Sequence, residues 1–272
     1  MFTLNCRGRL LVIEKPIVMG ILNITPDSFY TGSRFENPDA ILSQAEKMLN
    51  DGASILDIGG QSTRPGSEKI SAEEELKRIM PAIEAIVPRF PEAFLSIDTY
   101  YSKVAKEAVG SGVSLVNDIS AGSIDPEMIN TVAALKTPYI LMHMRGTPQT
   151  MLNESNYDDV TREVLDFFIA KKDSLNKNGI TDVIIDPGFG FAKNITHNFQ
   201  LLRDLKVFSM LDAPVLLGIS RKSMIWKTLN IPIEEALNGT TVLNTIGLMN
   251  GASILRVHDV KEAVEAVKLF SL

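Results

Sequence analysis

The sequence predicts an α/β protein whose elements form one closed (β/α)8 barrel, preceded by a short β-hairpin. Three observations lead to this fold class. Short β-prone apolar runs alternate with longer segments of helical period. The runs recur roughly every 34 residues, about the size of one strand–helix–strand unit. The chain of 272 residues holds eight of them, and about 250 residues is typical of a single barrel.

The predicted elements follow in order along the chain. A hairpin is expected within residues 1–14, broken at Arg7-Gly8 and covering the closed end of the barrel. Eight strands are predicted to begin near Ile17, Ser54, Phe94, Ser114, Pro138, Asp182, Pro214 and Ser253. Helical periodicity predicts helices over 39–50, 72–86, 102–109, 157–176 and 234–249. Gly52 and Gly179 follow two of these helices, where glycine suits the left-handed residue that ends a helix.

A doubly wound parallel sheet is the alternative fold, because it is built from the same units. The sequence has no Gly-x-Gly-x-x-Gly after the first strand and no Gly-x-x-x-x-Gly-Lys-Ser/Thr, the usual nucleotide-binding motifs of that open fold. The TIM barrel is therefore favoured. Composition does not shift along the chain, so a single domain over residues 1–272 is expected.

Composition argues against several classes of function. The 27 Lys and Arg residues against 33 Asp and Glu give a net charge of −6 without a basic run, which argues against a nucleic-acid partner. The single cysteine, Cys6, excludes a disulfide framework and a cysteine-based metal cluster. No apolar run reaches the roughly 18 residues of a membrane span and no signal pattern opens the sequence, so a cytoplasmic protein without a membrane partner is expected.

Polar residues follow the apolar runs in register. Those at the ends of the runs are Asn23, Asp57, Asp98, Asn117 with Asp118, His143, Asp186, Ser220-Arg221-Lys222, and Arg256 with His258. In a barrel the carboxyl ends of the strands meet at one mouth, where active sites lie. A helix cap is the alternative for Asp57, Asn117 or Asp118 taken singly. The complete series predicts a site for a polar, charged substrate.

Five segments carry a resemblance to a known family. They are GILNITPDSF (20–29), DIGGQSTRPG (57–66), VIIDPGFGFAK (183–193), VLLGISRKS (215–223) and SILRVHD (253–259). Together they resemble the dihydropteroate synthase family over nearly the whole chain. The resemblance implies a TIM barrel that joins 6-hydroxymethyl-7,8-dihydropterin diphosphate to 4-aminobenzoate with Mg²⁺, giving 7,8-dihydropteroate and diphosphate. It also implies a homodimer and a sulfonamide target.

The pterin is expected to bind at the ends of the middle strands. It presents adjacent N–H donors that a buried carboxylate accepts in a fork, and Asp186 is the best candidate because it ends a fully apolar strand. A turn-forming Asp before Pro-Gly is the alternative for Asp186. The resemblance adds further pterin contacts at Asp98, Asn117, Met144 and Lys222, and catalytic residues at Asp98, Lys222 and Arg64.

The diphosphate needs cations and hydrogen-bond donors. Its predicted contacts are Asn23, Thr63, Arg64, Arg256 and His258. Barrel enzymes often bind phosphate after the eighth strand, where Arg256 and His258 lie. Asn23 also offers the hard amide oxygen that suits Mg²⁺. A solvated loop position is the alternative for Arg64, and a helix-start residue for His258.

The predicted 4-aminobenzoate contacts are Phe29, Pro65, Phe191, Ser220 and Lys222. A helix beginning at Ser220 is expected to point backbone N–H groups at the substrate carboxylate. A core position is the alternative for Phe191. Residues 236–249 carry no charge and are apolar around most of a helix, which predicts the homodimer surface, with deeper burial inside the chain as the alternative.

The expected reaction displaces diphosphate from the pterin methylene carbon by the neutral aniline nitrogen. Three other functions are weighed: an aldolase with Lys222 as Schiff-base lysine, a pterin-binding methyltransferase of the same superfamily acting on methyltetrahydrofolate, and a non-catalytic pterin-binding protein. The STRPG and SRK segments favour the synthase over the methyltransferase. Gln61 and Thr31-Gly32-Ser33 depart from the family pattern, which leaves open how the first two loops close.

Overall fold

The computed structural model describes residues 1–24, 38–63 and 66–272. Two antiparallel strands open the chain, β1 (Phe2–Cys6) and β2 (Arg9–Ile13). The parallel strands that follow are β3 (Ile17–Asn23), β4 (Ile55–Gly59), β5 (Phe94–Asp98), β6 (Leu115–Asp118), β7 (Tyr139–Met142), β8 (Val183–Asp186), β9 (Leu216–Leu217) and β10 (Ile254–Val257). Their starts lie close to the predicted ones.

The parallel strands close into a ring, in the order β8-β7-β6-β5-β4-β3-β10-β9. Val215, directly before β9, bridges Ile185 of β8, and the Ile185 N–H donates to the Pro214 carbonyl at 2.9 Å. The predicted barrel is therefore confirmed. The doubly wound alternative is wrong, because an open sheet would leave its two edge strands unpaired.

Helices connect the strands of the barrel. In the described residues they are α1 (Pro38–Asn50), α2 (Ala72–Arg89), α3 (Ser102–Gly110), α4 (Met128–Leu135), α5 (Val160–Lys177), α6 (Ile195–Arg203), α7 (Ser223–Leu229), α8 (Leu237–Met249) and α9 (Val260–Phe270). Gly52 and Gly179 have φ of +104° and +79° after α1 and α5, as predicted. Across the three described ranges, no helix is long and apolar enough to cross a membrane.

Two helices begin later than predicted. α5 begins at Val160 rather than at Tyr157, because the Asp159 carboxylate accepts hydrogen bonds from the N–H groups of its first turn. α8 begins at Leu237, because Ile233–Glu235 form a separate 3₁₀ turn. A capping carboxylate sets the first start and a short 3₁₀ turn the second, and hydrophobic periodicity predicts neither.

The hairpin covers the amino-terminal end of the barrel, as predicted. Its inward side chains are Leu4, Cys6, Leu11 and Ile13. They pack on an apolar floor inside the ring, formed by Met19, Ile55, Leu115, Ile140, Ile184, Leu216 and Ile254. Intervening residues such as Leu56 and Ile58 belong to the larger core between strands and helices. The sealed apolar end leaves the opposite end of the barrel for polar side chains.

Candidate active site

Strand alternation places polar side chains in the layer above the apolar floor. In β4, Ile55 lies in the floor while Leu56 and Ile58 face the helices, so Asp57 points into the barrel. The same two-residue step raises other side chains above floor residues of their own strands, namely Asn117, Met142, Asp186 and Arg256. The predicted mouth residues converge because each of these strands ends just beyond the floor.

A hydrogen-bonded network of charged and amide groups crosses the mouth. Arg256 Nε donates to Asp57 Oδ2 at 2.6 Å, and Arg256 Nη2 donates to Asp98 Oδ2 at 2.5 Å. Asn117 Nδ2 donates to the same Asp57 oxygen at 3.0 Å. Among the described residues, the other oxygens of Asp57 and Asp98 are buried without a donor. Such acceptors cost stability unless a ligand supplies the missing hydrogen bond.

Burial and the charges of this network set the pKa of Asp98. Burial raises the pKa of Asp98 to about 7, Arg256 lowers it, and the Asp57 carboxylate raises it. Burial lowers the pKa of Arg256, but Asp57 and Asp98 outweigh burial and hold that pKa above its usual value. Arg256 is therefore a permanent cation, whereas Asp98 exchanges its proton near neutral pH.

A second buried carboxyl group, Glu75 of α2, lies close to Asp98. Glu75 Oε2 accepts the Thr99 hydroxyl at 3.1 Å. Burial raises the pKa of Glu75 from 4.5 to about 8, Thr99 and Arg78 lower it, and Asp98 raises it. Between these two values the folded protein binds a proton that the unfolded chain has released. The free energy of unfolding therefore falls as the pH rises through this range.

Glu75→Gln is expected to remove this pH dependence. The amide keeps an acceptor for Thr99 but does not ionise. The free energy of unfolding of the variant should therefore increase relative to that of the wild type between about pH 5 and pH 8, by on the order of a few kcal/mol. Calorimetric melting of both proteins across that range measures the difference. A constant difference at every pH would contradict the raised pKa.

Asp186 and Lys222 add a second pair of opposite charges at the mouth. Asp186 Oδ1 accepts the Gly188 N–H at 2.8 Å, so the turn after β8 uses one carboxylate oxygen, as the turn-forming alternative expects. Asp186 Oδ2 lies 3.8 Å from the place that a Cβ on Gly218 would take. Burial raises the pKa of Asp186 and Lys222 lowers it, while burial lowers the pKa of Lys222 to about 8 and Asp186 raises it. One carboxylate oxygen therefore shapes the loop, and the other lies beside Gly218.

An apolar wall borders these polar groups. It is formed by Tyr100, Ile119 and Met142, with Met144 and Phe191 packed against them. The Lys222 ammonium lies 4.6 Å from the centre of the Phe191 ring and donates to the Phe189 carbonyl. Phe191 is half-buried at the rim of the mouth and lies outside the core between strands and helices. The wall brings two predicted contacts, Met144 and Phe191, to the same side of the site.

The segment after β9 differs from the prediction. Helix α7 begins at Ser223 and not at Ser220, because Arg221 is left-handed (φ +53°) and Lys222 is the extended residue before the helix. The Ser220 hydroxyl instead pairs with His258 Nδ1 at 3.0 Å and accepts the His258 N–H at 3.2 Å. The predicted helix terminus at Ser220 is therefore wrong, and the Ser220 side chain holds His258 in place.

Asn23 ends β3 beside Gly59. A Cβ on Gly59 would lie 3.7 Å from Asn23 Oδ1 and 3.9 Å from Asp98 Oδ2, so the glycine leaves a space bordered by two hard oxygens. Mg²⁺ prefers such ligands and keeps several waters, so the residues present fit this ion. Thr63 is half-buried in the loop after β4. The predicted contacts Phe29, Arg64 and Pro65 and the departures at 31–33 lie outside the described residues.

Known proteins are similar to this chain in sequence and in fold. The sequence model of the family described as pterin binding enzymes matches residues 19–258. The dihydropteroate synthase of Escherichia coli K12 is 44% identical over 268 residues, which cover 98% of this chain and 94% of that relative. This chain belongs to the dihydropteroate synthase family. The resemblance of the five sequence motifs is thereby confirmed.

Solved structures of dihydropteroate synthases share the fold over their whole length. The Yersinia pestis enzyme with a sulfonamide drug complex has a TM-score of 0.93 at 42% identity, covering 99% of this chain and 98% of that one. The Xanthomonas albilineans enzyme with 4-aminobenzoic acid has a TM-score of 0.92 at 38% identity, covering 99% and 97%. These similarities make the chain a member of a transferase family and a TIM barrel.

Gln61 departs from the dihydropteroate synthase pattern and has a structural role here. Its Oε1 accepts the Ile70 N–H at 2.8 Å, and the Tyr101 hydroxyl donates to the Ile70 carbonyl at 2.6 Å. These bonds fix the base of the loop after β4.

The sequence predicts that Asp57 lies at the mouth but assigns it no substrate contact. Asp57 bonds side chains across the mouth, so the helix-cap alternative is wrong for Asp57 and for its partner Asn117. The strand-end position was the available signal. Asp118 shapes its own loop, because it accepts the N–H groups of Ser120 and Gly122 and the Tyr139 hydroxyl, each at 2.7 Å.

Proposed function

We propose that this chain joins 6-hydroxymethyl-7,8-dihydropterin diphosphate to 4-aminobenzoate and releases 7,8-dihydropteroate and diphosphate, a step of folate biosynthesis. The observation that carries the proposal is the set of buried acceptors on Asp57, Asp98 and Asp186. They lie beside an apolar wall and next to the cations of Lys222 and Arg256. A flat heterocycle with several N–H donors matches such acceptors.

The pterin is assigned to the inner part of the mouth. Asp186 Oδ2, which borders the space beside Gly218, accepts the N–H groups of the amino-pyrimidinone edge. Asp98 and Asn117 contact other ring positions, and Lys222 donates to ring acceptors. Met144 covers one face of the ring, since it packs into the apolar wall.

The diphosphate is assigned to the outer part of the mouth. Arg256 already engages two carboxylates through Nε and Nη2, so its Nη1 is the donor assigned to the phosphate oxygens. His258 is exposed and held by Ser220, which suits a group that meets an anion at the rim. Asn23, Thr63 and Arg64 are the other residues assigned to the diphosphate.

The reaction breaks the bond from the pterin methylene carbon to the diphosphate oxygen and forms a bond to the aniline nitrogen, which then loses a proton. Positive charge develops on the pterin as the first bond loosens, and buried carboxylates such as Asp98 stabilise it. Lys222 and Arg64 offset the negative charge of the leaving group. No covalent intermediate with the protein is needed.

Asn23 would hold Mg²⁺ through its hard amide oxygen. When bound, the ion supplies positive charge that neutralises the diphosphate. The amide oxygen of Asn23 holds its place because β3 pairs with β4 through Asn23 itself, opposite Gly59.

The 4-aminobenzoate ring is assigned to the rim, against Phe191 and the alkyl stem of Lys222. The Lys222 stem lies over Gly190, where a Cβ would come within 3.1 Å of Lys222 Cδ. Ser220 offers a hydroxyl to the carboxylate, in place of the helix terminus that the sequence predicted. Phe29 and Pro65 are assigned to the open side of the ring.

An aldolase is the second enzyme class considered. It would need the Lys222 ammonium as a nucleophile, but this group donates to the Phe189 carbonyl and stacks on Phe191. The burial-lowered pKa of about 8 also fits a cation that neutralises a substrate anion at neutral pH. We therefore favour the synthase over the aldolase, the methyltransferase and the non-catalytic binding protein.

Diphosphate release tests the proposed function. The purified protein is incubated with both substrates and Mg²⁺, and diphosphate and 7,8-dihydropteroate are measured together. Release should require all three components and should stop when EDTA is added. Diphosphate without dihydropteroate would indicate a hydrolase, and methyl transfer from methyltetrahydrofolate would indicate the methyltransferase.

The amine site is expected to form only after the first substrate binds. Several of its assigned groups lie in loops rich in Gly, Pro, Ser and Thr, with few apolar anchors to hold them closed. We expect 4-aminobenzoate to bind at least tenfold more tightly with pterin, diphosphate and Mg²⁺ present than to the free protein. Calorimetric titration measures both affinities. Equal affinities would mean that the second site is preformed.

A homodimer is proposed from α8, together with a cytoplasmic location from the composition. The helix has no charged residue, and Val242 and Met249 are 48% and 72% exposed. Sedimentation is expected to show a species of twice 29.9 kDa. Val242→Glu should shift it to the monomer, whereas Leu10→Glu on the exposed face of the hairpin should not. A monomer alone at micromolar concentration would contradict the proposal.

A further inference from the structure

A buried lysine joins two strand ends at the mouth, outside the roles assigned above. Lys193 ends the loop after β8, just before α6, and is only 8% exposed. Its ammonium lies 2.9 Å from His143 Nδ1, 3.0 Å from the Phe191 carbonyl and 3.1 Å from the Gly188 carbonyl. It also lies 3.3 Å from the His143 carbonyl. The Lys193 side-chain nitrogen thus bonds the end of β7 to the loop after β8.

The loop passes very close to His143. A Cβ on Gly188 would come within 2.0 Å of the His143 carbonyl oxygen, and Gly188 has φ of +71°. Only glycine fits such an approach. The loop therefore needs both the small residue and the lysine to lie against the end of β7.

The imidazole of His143 pairs with this lysine. Burial, with the charges of Lys193 and Arg145, lowers the pKa of His143 to about 2, so the ring is neutral. Burial also holds the pKa of Lys193 well below its usual value, while Asp186 raises it. This contact explains a histidine in the series of strand-end residues without any proton transfer to substrate.

The other side of the same loop faces the rim of the mouth. The Phe189 carbonyl accepts the Lys222 ammonium, and the Phe191 ring lies 4.6 Å from that ammonium. Lys193 therefore fixes the backbone on which the proposed wall for the aromatic amine is built. The ladder hydrogen bonds of their strands hold the backbones of Asp98, Asn117 and Asp186, although the Asp186 carboxylate also accepts the Gly188 N–H of the loop.

We propose that Lys193 is a positioning residue that sets the second-substrate wall through the carbonyls of Gly188 and Phe191. The proposal rests on the proposed function, since it assigns the aromatic amine to Phe191. Loss of Lys193 frees the loop carrying Phe191 while the strand-borne acceptors keep their places. The affinity for 4-aminobenzoate should therefore fall more than the affinity for the pterin.

Steady-state kinetics and pterin binding of Lys193→Met in the full chain test this difference between the two substrates. We expect the KM for 4-aminobenzoate to rise at least tenfold while the dissociation constant of 6-hydroxymethylpterin changes less than threefold. Lys172→Met is the matched control, because Lys172 also donates to two backbone carbonyls, Leu211 and Asp212, at the opposite end of the barrel. The control should lower the melting temperature without changing either constant.

A double-mutant cycle shows whether Lys193 acts through Phe191. Lys193→Gln retains an NH₂ donor group and serves if Lys193→Met does not fold. Combined with Phe191→Leu, it should add little to the rise in KM for 4-aminobenzoate caused by Phe191→Leu alone. Additive effects, equal losses for both substrates, or no loss would each overturn the proposal. A wild-type protein without condensation activity would instead contradict the proposed function.

Discussion

Asp186→Asn is expected to remove most of the pterin affinity while the barrel keeps its fold. The Gly188 N–H still finds an acceptor in the amide, so the turn after β8 persists. The other side-chain atom becomes an NH₂ donor that faces the N–H donors of the pterin. Loss of a charge-assisted bond costs about 1.5–3 kcal/mol, or roughly ten- to more than a hundredfold in the dissociation constant.

Calorimetric titration with 6-hydroxymethylpterin and thermal melting together test this expectation. Asp182→Asn is the matched control, because Asp182 precedes the same strand at the closed end, where it accepts the Asn5 N–H at 3.2 Å. That variant should bind the pterin like the wild type. Unchanged pterin binding by Asp186→Asn would remove Asp186 from the assigned site.

The loss of the carboxylate also has an expected effect on Lys222. Asp186 is the charge that most raises the pKa of Lys222, which burial holds at about 8. Without it the pKa of Lys222 should fall below that value. Activity that depends on charged Lys222 should then decline at a lower pH than in the wild type, which a pH profile of kcat/KM measures.

Much of the fold and of the mouth could be predicted from the sequence. The repeat of apolar runs gives the strand order, and the two-residue alternation within a strand determines which side chains share a layer. Asn117 and Asp186 follow floor residues of their own strands by this spacing, so their place inside the barrel needs no knowledge of tertiary contacts. The hairpin over the closed end follows from the same pattern.

The rest depends on bonds between distant residues. The start of α7 depends on a left-handed Arg221, whose side chain forms a two-pronged ion pair with Asp259 at 2.9 Å. The bonds of Lys193 to β7 join residues 50 positions apart. A single sequence gives no signal for either, because both motifs also fit an exposed basic residue at the start of a helix.

Arg256 connects the predicted diphosphate and pterin sites in a way the sequence did not indicate. The sequence predicts a diphosphate contact for Arg256, yet its Nε and Nη2 bind Asp57 and Asp98. Asp57 is fully buried and the Asp98 side chain is 11% exposed. The guanidinium therefore has a structural role without any bound anion, because its positive charge offsets the repulsion between two buried carboxyl groups.

Arg256→Met is expected to destabilise the protein strongly, because it leaves those carboxyl groups without a cation. Breaking a buried ion pair costs about 3–5 kcal/mol, which lowers the melting temperature by roughly 6–20 °C in a domain of this size. Loss of Arg256 also raises the pKa of Asp98 beyond about 7. Both folded proteins retain the Asp98 proton below about pH 7, but above it only the variant does, so the stability deficit should stay level from pH 5 to about pH 7 and grow towards pH 8.

Thermal melting across that pH range, with two further variants, isolates the cause. Arg221→Met breaks an equally well-formed ion pair, but water reaches the remaining Asp259, so a loss of about 1 kcal/mol is expected. Arg256→Met combined with Asp98→Asn should recover part of the stability, because only the Asp57 charge then lacks a partner. If Arg256→Met melts like Arg221→Met at every pH, the carboxyl groups are stable without the guanidinium. Arg256 would then be left with the diphosphate contact alone.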